Sequence, residues 1–320
     1  MAVDYTTTAL VANVKRRISA PTTQSLFDPD DICALATDEL QDTIYPLIMS
    51  VRKEFFVKSL VLPIDPSNPR YGIPGVGAGM KLREVDITSS LGDGVTTTWV
   101  NLQQINREDA NSSVWTNTVT GWPSGFYIEN NDVILFPAQQ TVGYIRLTFF
   151  KRSPALVTTS KAGQVVNIDV GALEVSVSLV PSAWAVGDTV NAESPVSPFP
   201  TNAEDLEITA INGNVLTLDS VDGIEVGDWI CFDGETVIPP VMVEARGLLA
   251  QATAVKILES MDNAGPFERA QKKYDSQAES FLTLITPRDD ASVQKVTSIG
   301  SGIAYWNSGS SWGGWGGGGW

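Results

Sequence analysis

The chain has 320 residues, a net charge of −16 and no histidine. That length accommodates two or three domains with a proper core. The missing histidine excludes Ser-His-Asp and Cys-His nucleophiles, the usual zinc sites and the commonest general base, leaving carboxylates, lysine or bound divalent metal for any catalysis.

The charge is unevenly spread. Between Ser160 and Pro239 thirteen acids accompany a single base, Lys161, so this quarter of the chain contributes −12. Nucleic-acid clamps need the opposite, because phosphate affinity comes from Lys and Arg. Such a segment is either a surface past which DNA slides without sticking or a merely solvated acidic domain. No run of eighteen apolar residues occurs, so no spanning helix is expected. The opening MAVDYTTTALVANVKRRISAPTTQ does not read as a secretory signal, since its short apolar stretch precedes the basic cluster. Cys33 and Cys231 read as lone buried thiols made in a reducing compartment.

In chain order, residues 1–27 read as an N-terminal arm carrying Lys15, Arg16 and Arg17, which touch a partner or DNA or form a solvated trio. The first helix opens at FDPDDICALATDEL, with Asp28 as N-cap, Pro29 at the first helical position, and Asp30 and Asp31 complementing the positive helix end. Apolar residues from Ile32 to Phe55 keep one face buried, and Pro46 predicts a kink or two abutting helices. GVGAGMK, from Gly75 to Lys81, lacks the spacing and the strand-then-helix context of a phosphate loop and reads as a linker. From Lys81 to Arg152 the pattern is β: KLREVDI, TTTWVNLQQI, GFYIE, DVILFPA and GYIRLTFFKR. ENND is a hairpin turn with Asn130 or Asn131 at positive φ. The acidic segment holds short strands at the spacing of a small barrel or sandwich, and AVGDTV (185–190) echoes EVGDWI (225–230) as two similar turns. Helical periodicity returns over Val241–Met261 and Pro266–Ile285, whose short connection makes them antiparallel neighbours. SGSSWGGWGGGGW then ends the chain as loose rope with tryptophan hooks.

Four stretches resemble the head-to-tail adaptor (connector) family of tailed bacteriophages. They are YTTTALVANVKRRISAPTTQ leading into FDPDDICALATDELQDTIYPLIMSVRKEFFV; PRYGIPGVGAGMKLREVDI; GFYIENNDVILFPAQQTVGYIRLTFFKRSPALV; and AVKILESMDNAGPFERAQKKYDSQAESFLTLITPR. The resemblance implies a virion structural protein at the neck, made in the host cytoplasm. It implies a ring, usually of twelve copies, beneath the portal protein, extending the DNA channel and offering a docking surface to tail or nozzle proteins. Double-stranded DNA passes without specific binding. No cofactor, membrane or enzymatic chemistry is implied.

The expected fold is α+β: a helical bundle from residues 28–62 and 240–286, a β-sheet region at 63–153, an acidic β insertion at 154–239 and an extended arm at 287–320. A second face of the last helices (Ala250, Ala254, Ile257) suits ring packing. Tyr305, Trp306, Trp312, Trp315 and Trp320 are the arm's candidate anchors, worth about 2 kcal/mol or more each where buried; the alternative is a solubility tail. Two rival readings exist. Trp99, Trp115, Trp122 and Trp184 could form a carbohydrate- or receptor-binding platform, and Glu204–Asp205 or Asp30–Asp31 could serve a carboxylate hydrolase.

Overall fold

The computed structural model describes residues 4–19, 27–91, 97–110, 122–137, 142–196, 199–261 and 264–286, and its architecture is α+β. Trp115 and all five C-terminal anchors lie outside the described residues. The expected N-terminal arm is instead largely helical. Helix α1 (Thr7–Arg17) buries Thr7, Leu10, Val11 and Val14, an i, i+3, i+4, i+7 stripe that the short apolar run concealed. Its basic last turn suits the negative end of the helix dipole.

Helix α2 (Pro29–Glu39) starts as its residues dictate. Asp28 Oδ1 accepts from Asp31 N at 2.8 Å, and the Asp31 side chain accepts from Asp28 N in return. Asp28→Ala is expected to cost about 1 kcal/mol; urea unfolding checks it, and an unchanged midpoint would deny the cap any role. Ahead of Pro46, which has no N–H to give, the helix widens into a π turn (Leu40–Ile44) and continues as α3 (Tyr45–Val51). Leu40, Ile44 and Ile48 remain fully buried across this break. A short 3-10 turn (Lys53–Phe56) ends the helical run.

The expected helical segment through residue 62 therefore stops early. Val57–Pro63 is strand β1, whose burial alternates from Ser59 onward and which pairs antiparallel with β8 (Tyr144–Lys151). The glycine-rich GVGAGMK is a turn only at Gly75 and Val76. Gly77 opens strand β3 (Gly77–Thr88), and the register slips between Gly77 and Leu82 where the glycines allow a bulge. With β2 (Arg70–Gly72), β4 (Val100–Asn101), β5 (Gln103–Gln104), the short α4 (Arg107–Ala110), β6 (Gly125–Glu129) and β7 (Asp132–Phe136), these strands make two four-stranded sheets, β1-β8-β3-β4 and β2-β7-β6-β5. Their shared core contains Val85, Ile87, Val133, Leu135, Ile145 and Leu147. The ENND turn joins β6 to β7 with both Asn130 and Asn131 at positive φ.

The acidic insertion closes into a six-stranded barrel. Strands β10 (Gly163–Asp169), β11 (Glu174–Val177), β12 (Thr189–Glu193), β13 (Thr201–Asn212), β14 (Val215–Leu218) and β15 (Trp229–Phe232) run around it in the order β10-β11-β14-β13-β12-β15. The barrel has an internal pseudo-twofold that relates β10-β11-β12 to β13-β14-β15. Pair Val175↔Leu216 and pair Asn191↔Cys231 map onto themselves, and the bulge between Val165 and Asn167 recurs between Ile208 and Ala210. The two similar turns are its most visible mark. Ala185 N donates to Asp188 Oδ2 as Glu225 N does to Asp228 Oδ2, while Gly187 (φ +92) and Gly227 (φ +103) supply the left-handed backbone. The core is apolar, with Trp184, Ile208, Leu216 and Ile230 among its residues.

The barrel's two connections to the body run side by side as a parallel pair, β9 (Ala155–Leu156) and β16 (Glu235–Thr236). Thr7 pins both: its N–H donates to Val237 O at 2.7 Å and its hydroxyl to Val157 O at 2.7 Å. Helix α5 (Val243–Ser260) follows and packs on α1, α2 and the π turn. Ala250, Ala254 and Ile257 are each fully buried there, so the face expected to serve ring packing is occupied by the chain's own helices. Helix α6 (Ala264–Ile285) runs back antiparallel, Gln251 Nε2 donating to Ala270 O at 3.0 Å.

Candidate functional site

A cleft of about 620 Å³ lies where the barrel meets the body. Tyr45, Phe55 and Phe56 line it from the helical segment, Lys58 and Lys151 from β1 and β8, Glu193 and Glu204 from the barrel, with Phe199 at the loop before β13. The ladder of β1 on β8 places both lysines at one end of the sheet, and they converge on one carboxylate. Glu204 forms an ion pair with Lys58 through one oxygen, while Lys151 Nζ lies 2.8 Å from the other. Lys151 also donates to Thr201 Oγ1 at 3.4 Å. Burial lowers the pKa of Lys58, helped by repulsion from Lys151, against the pull of Asp205 and Asp233. Burial likewise lowers that of Lys151, opposed by Glu193, Asp233 and Asp205.

Deeper in the joint, Glu193 is only 9% exposed. Burial pushes its carboxyl up to about 7, although the Thr236 hydroxyl and Lys151 pull the other way. The hydrogen bonds around it agree with a neutral acid. Thr236 Oγ1 contacts Glu193 Oε2, accepts from Ile238 N at 2.9 Å and lies 2.9 Å from Ile238 O. A hydroxyl has one proton to give. An ionised Glu193 and the Ile238 carbonyl would compete for it, whereas a protonated Glu193 donates to Thr236 Oγ1 and frees the hydroxyl for Ile238 O. The Thr236 hydroxyl, Ile238 N and Ile238 O are then all satisfied. The neighbouring Cys231 thiol is pushed well up, by burial first and by Glu193 second.

A second cluster joins three distant segments. The Arg246 guanidinium of α5 sits 3.9 Å from the Phe199 ring centre and 4.7 Å from that of Tyr5. It donates to Tyr5 O and, at 3.0 Å, to Pro239 O. Burial lowers its pKa to about 10, with Tyr5 and Asp4 opposing. Of these charged groups only Glu204 had been singled out from the sequence. Lys151 and Glu193 look like ordinary strand ends, and Arg246 like an ordinary helix cation.

The candidates named from sequence are dispersed. Trp184 is in the barrel core, Trp99 lies under Arg146 at 4.5 Å, and only Trp122 is exposed. Because Arg146 is itself held by Asp86 at 2.9 Å, Trp99 offers no free stacking face on that side, and these tryptophans form no common platform. The adjacent acids also diverge. Asp30 pairs with Lys161 beside the α2 N-terminus, and Glu204 is held by two lysines. Of the basic trio, Arg16 is exposed and Lys15 half-buried, and Arg17 donates to Gln251 Oε1. Gln251 in turn donates to Ala270 O, which links Arg17 to the turn of α6 that carries Arg269, Lys272 and Lys273.

The described charged and aromatic clusters join parts of the chain to one another. Residues 5–175, more than half of the chain, match the family described as SU10 adaptor protein, and the chain belongs to that family, an adaptor family of bacteriophage origin. The matched segment runs from the approach to α1 into β11. No curated protein matches the chain. A phage adaptor is a virion component, and no described helix is long and apolar enough to cross a membrane.

Proposed function

We propose that the chain is a head-to-tail adaptor that assembles as a ring, of twelve copies, beneath the phage portal protein. There it extends the DNA channel and offers an attachment surface to tail or nozzle proteins. Membership of the adaptor family carries this reading, because the match spans α1, α2, α3 and both sheets of the body. The excess of carboxylates on the insertion supports it, since a like-charged wall lets DNA pass without adhering. In this reading the Gly/Trp segment anchors the ring, with Tyr305, Trp306, Trp312, Trp315 and Trp320 filling pockets on a partner. No cofactor or catalytic step is assigned.

Co-sedimentation of the full-length protein with its phage's portal ring, against a version ending at Ser298, tests the proposal. Binding at a fixed many-copy ratio that is lost on truncation supports both the adaptor and the anchor. Binding that survives truncation removes the anchor role. Failure of both forms to bind rules out the portal-adaptor reading.

A further inference from the structure

We propose that the basic face shared by α1 and α6 receives the acidic barrel of a second copy of this chain. The inference rests on the ring reading above and names the surfaces that would meet. The first observation is a convergence the fold creates. Lys15, Arg16 and Arg17 are about 250 residues from Arg269, Lys272 and Lys273, yet Arg17 donates to Gln251 and Gln251 to Ala270 O, so the end of α1 reaches the turn of α6 that carries these cations. Arg16, Arg269, Lys272 and Lys273 are exposed. None of the six enters an ion pair among the described residues, while Lys58, Arg83, Lys151 and others do.

The complementary surface is on the same polypeptide. Of the thirteen insertion acids only Glu204 is in an ion pair among the described residues. The pseudo-twofold shows which carboxylates the barrel does not need. Glu207 N donates to Asp219 Oδ1 at 3.0 Å, and at the equivalent place Gln164 N donates to Ser178 Oγ at 3.1 Å. One half closes the same turn with a neutral hydroxyl and a neutral amide, so the charges on Glu207 and Asp219 are surplus to the fold. Both residues are exposed, and they lie beside Val186, which is 63% exposed on the turn whose Gly187 N–H bonds Ile208 O. An apolar tip beside two carboxylates that enter no ion pair among the described residues fits a cationic surface. Basic face and acidic tip occupy different parts of the protomer, so their pairing is head-to-tail, the kind of contact that closes into a ring. Carboxylates on every copy supply this partner at equal number, which favours it over nucleic-acid phosphate.

A charge swap tests the inference on the full-length protein. Assembly is followed by sedimentation at low and high salt for wild type, for Arg269→Glu/Lys273→Glu, for Glu207→Lys/Asp219→Lys, and for an equimolar mixture of the two variants. Circular dichroism and thermal melts verify that each variant folds. Each variant alone is expected to weaken association by about tenfold or more at low salt. The mixture is expected to regain association through its complementary reversed faces, and salt is expected to weaken wild-type association. Folded variants that assemble as wild type, or that are not rescued by mixing, overturn the inference while leaving the ring intact. Loss of binding to duplex DNA by the basic-face variant with assembly unchanged overturns it in favour of phosphate. A wild-type chain that assembles neither alone nor on the portal removes the ring reading itself.

Discussion

Replacing Glu193 with glutamine is expected to stabilise the protein above pH 7 and to leave it nearly unchanged near pH 4.5. The native carboxyl titrates at about 7 against 4.5 unfolded, so between those values the folded state binds the extra proton. Stability then falls as pH rises through this window, and the loss is complete above the folded pKa. A tenfold change in proton affinity is worth about 1.4 kcal/mol, so the full effect is about 3 kcal/mol. The groups facing Glu193 are Thr236 and Cys231, with Lys151 attracting its charge and Lys58, Glu204, Asp205 and Asp233 around the same joint. Glutamine reproduces the neutral acid, because its amide donates to Thr236 Oγ1 and leaves the hydroxyl for Ile238 O. Urea unfolding of both proteins from pH 4.5 to 8.5 measures the difference, which isolates this one group from the other titrations. Parallel curves across that range would show that Glu193 is ionised throughout.

Ala254→Glu is expected to unfold the protomer, not merely to loosen an assembly. Ala254 is fully buried on α5, and so are Ala250 and Ile257 on either side of it. A glutamate there finds α1 and α2 where a free surface would offer water. Burying an unpaired carboxylate in a packed interior costs more than about 4 kcal/mol, a large part of the total stability of a domain. Circular dichroism of the purified variant decides the matter. A native spectrum with lost association would restore this face to the outside of the protomer, whereas loss of helical signal in the isolated chain places it within.

The local features were legible in the sequence because their causes span only a few residues. Asp28 and Asp31 are three positions apart and close their capping box whatever the rest of the chain does. Asn130 and Asn131 tolerate positive φ better than most residues, so ENND turns. The Val-Gly-Asp turns are set by a glycine and the aspartate beside it, and alternation over four or five residues marked most strands of the sheets and the acidic segment. The absence of histidine and the −12 insertion were equally plain, since composition does not depend on folding.

Other decisions belong to contacts between distant segments. Val57–Pro63 follows a helix and is short, and only the ladder to β8 makes it a strand. Beyond the two Val-Gly-Asp turns, the pseudo-twofold of the barrel leaves little trace at the level of identity, because buried positions require only apolar residues of suitable size and outward ones require little. Lys58 and Lys151 are 93 residues apart and meet Glu204 from a different layer; the choice of partner for a charge is made by the backbone that brings it near. The same holds for α5. Its alanine-rich side reads as a second, weaker face, and periodicity records that a face is apolar without recording what covers it. Here α1, which the sequence disguised as an arm, is among the elements that cover it. Composition, caps and turns were thus determined by the sequence within its own neighbourhood. Which surfaces are inside, which charges are paired, and which cations and carboxylates are left over for a neighbour were decided only by the tertiary structure, because burial and Coulomb energy depend on distance in space and not along the chain.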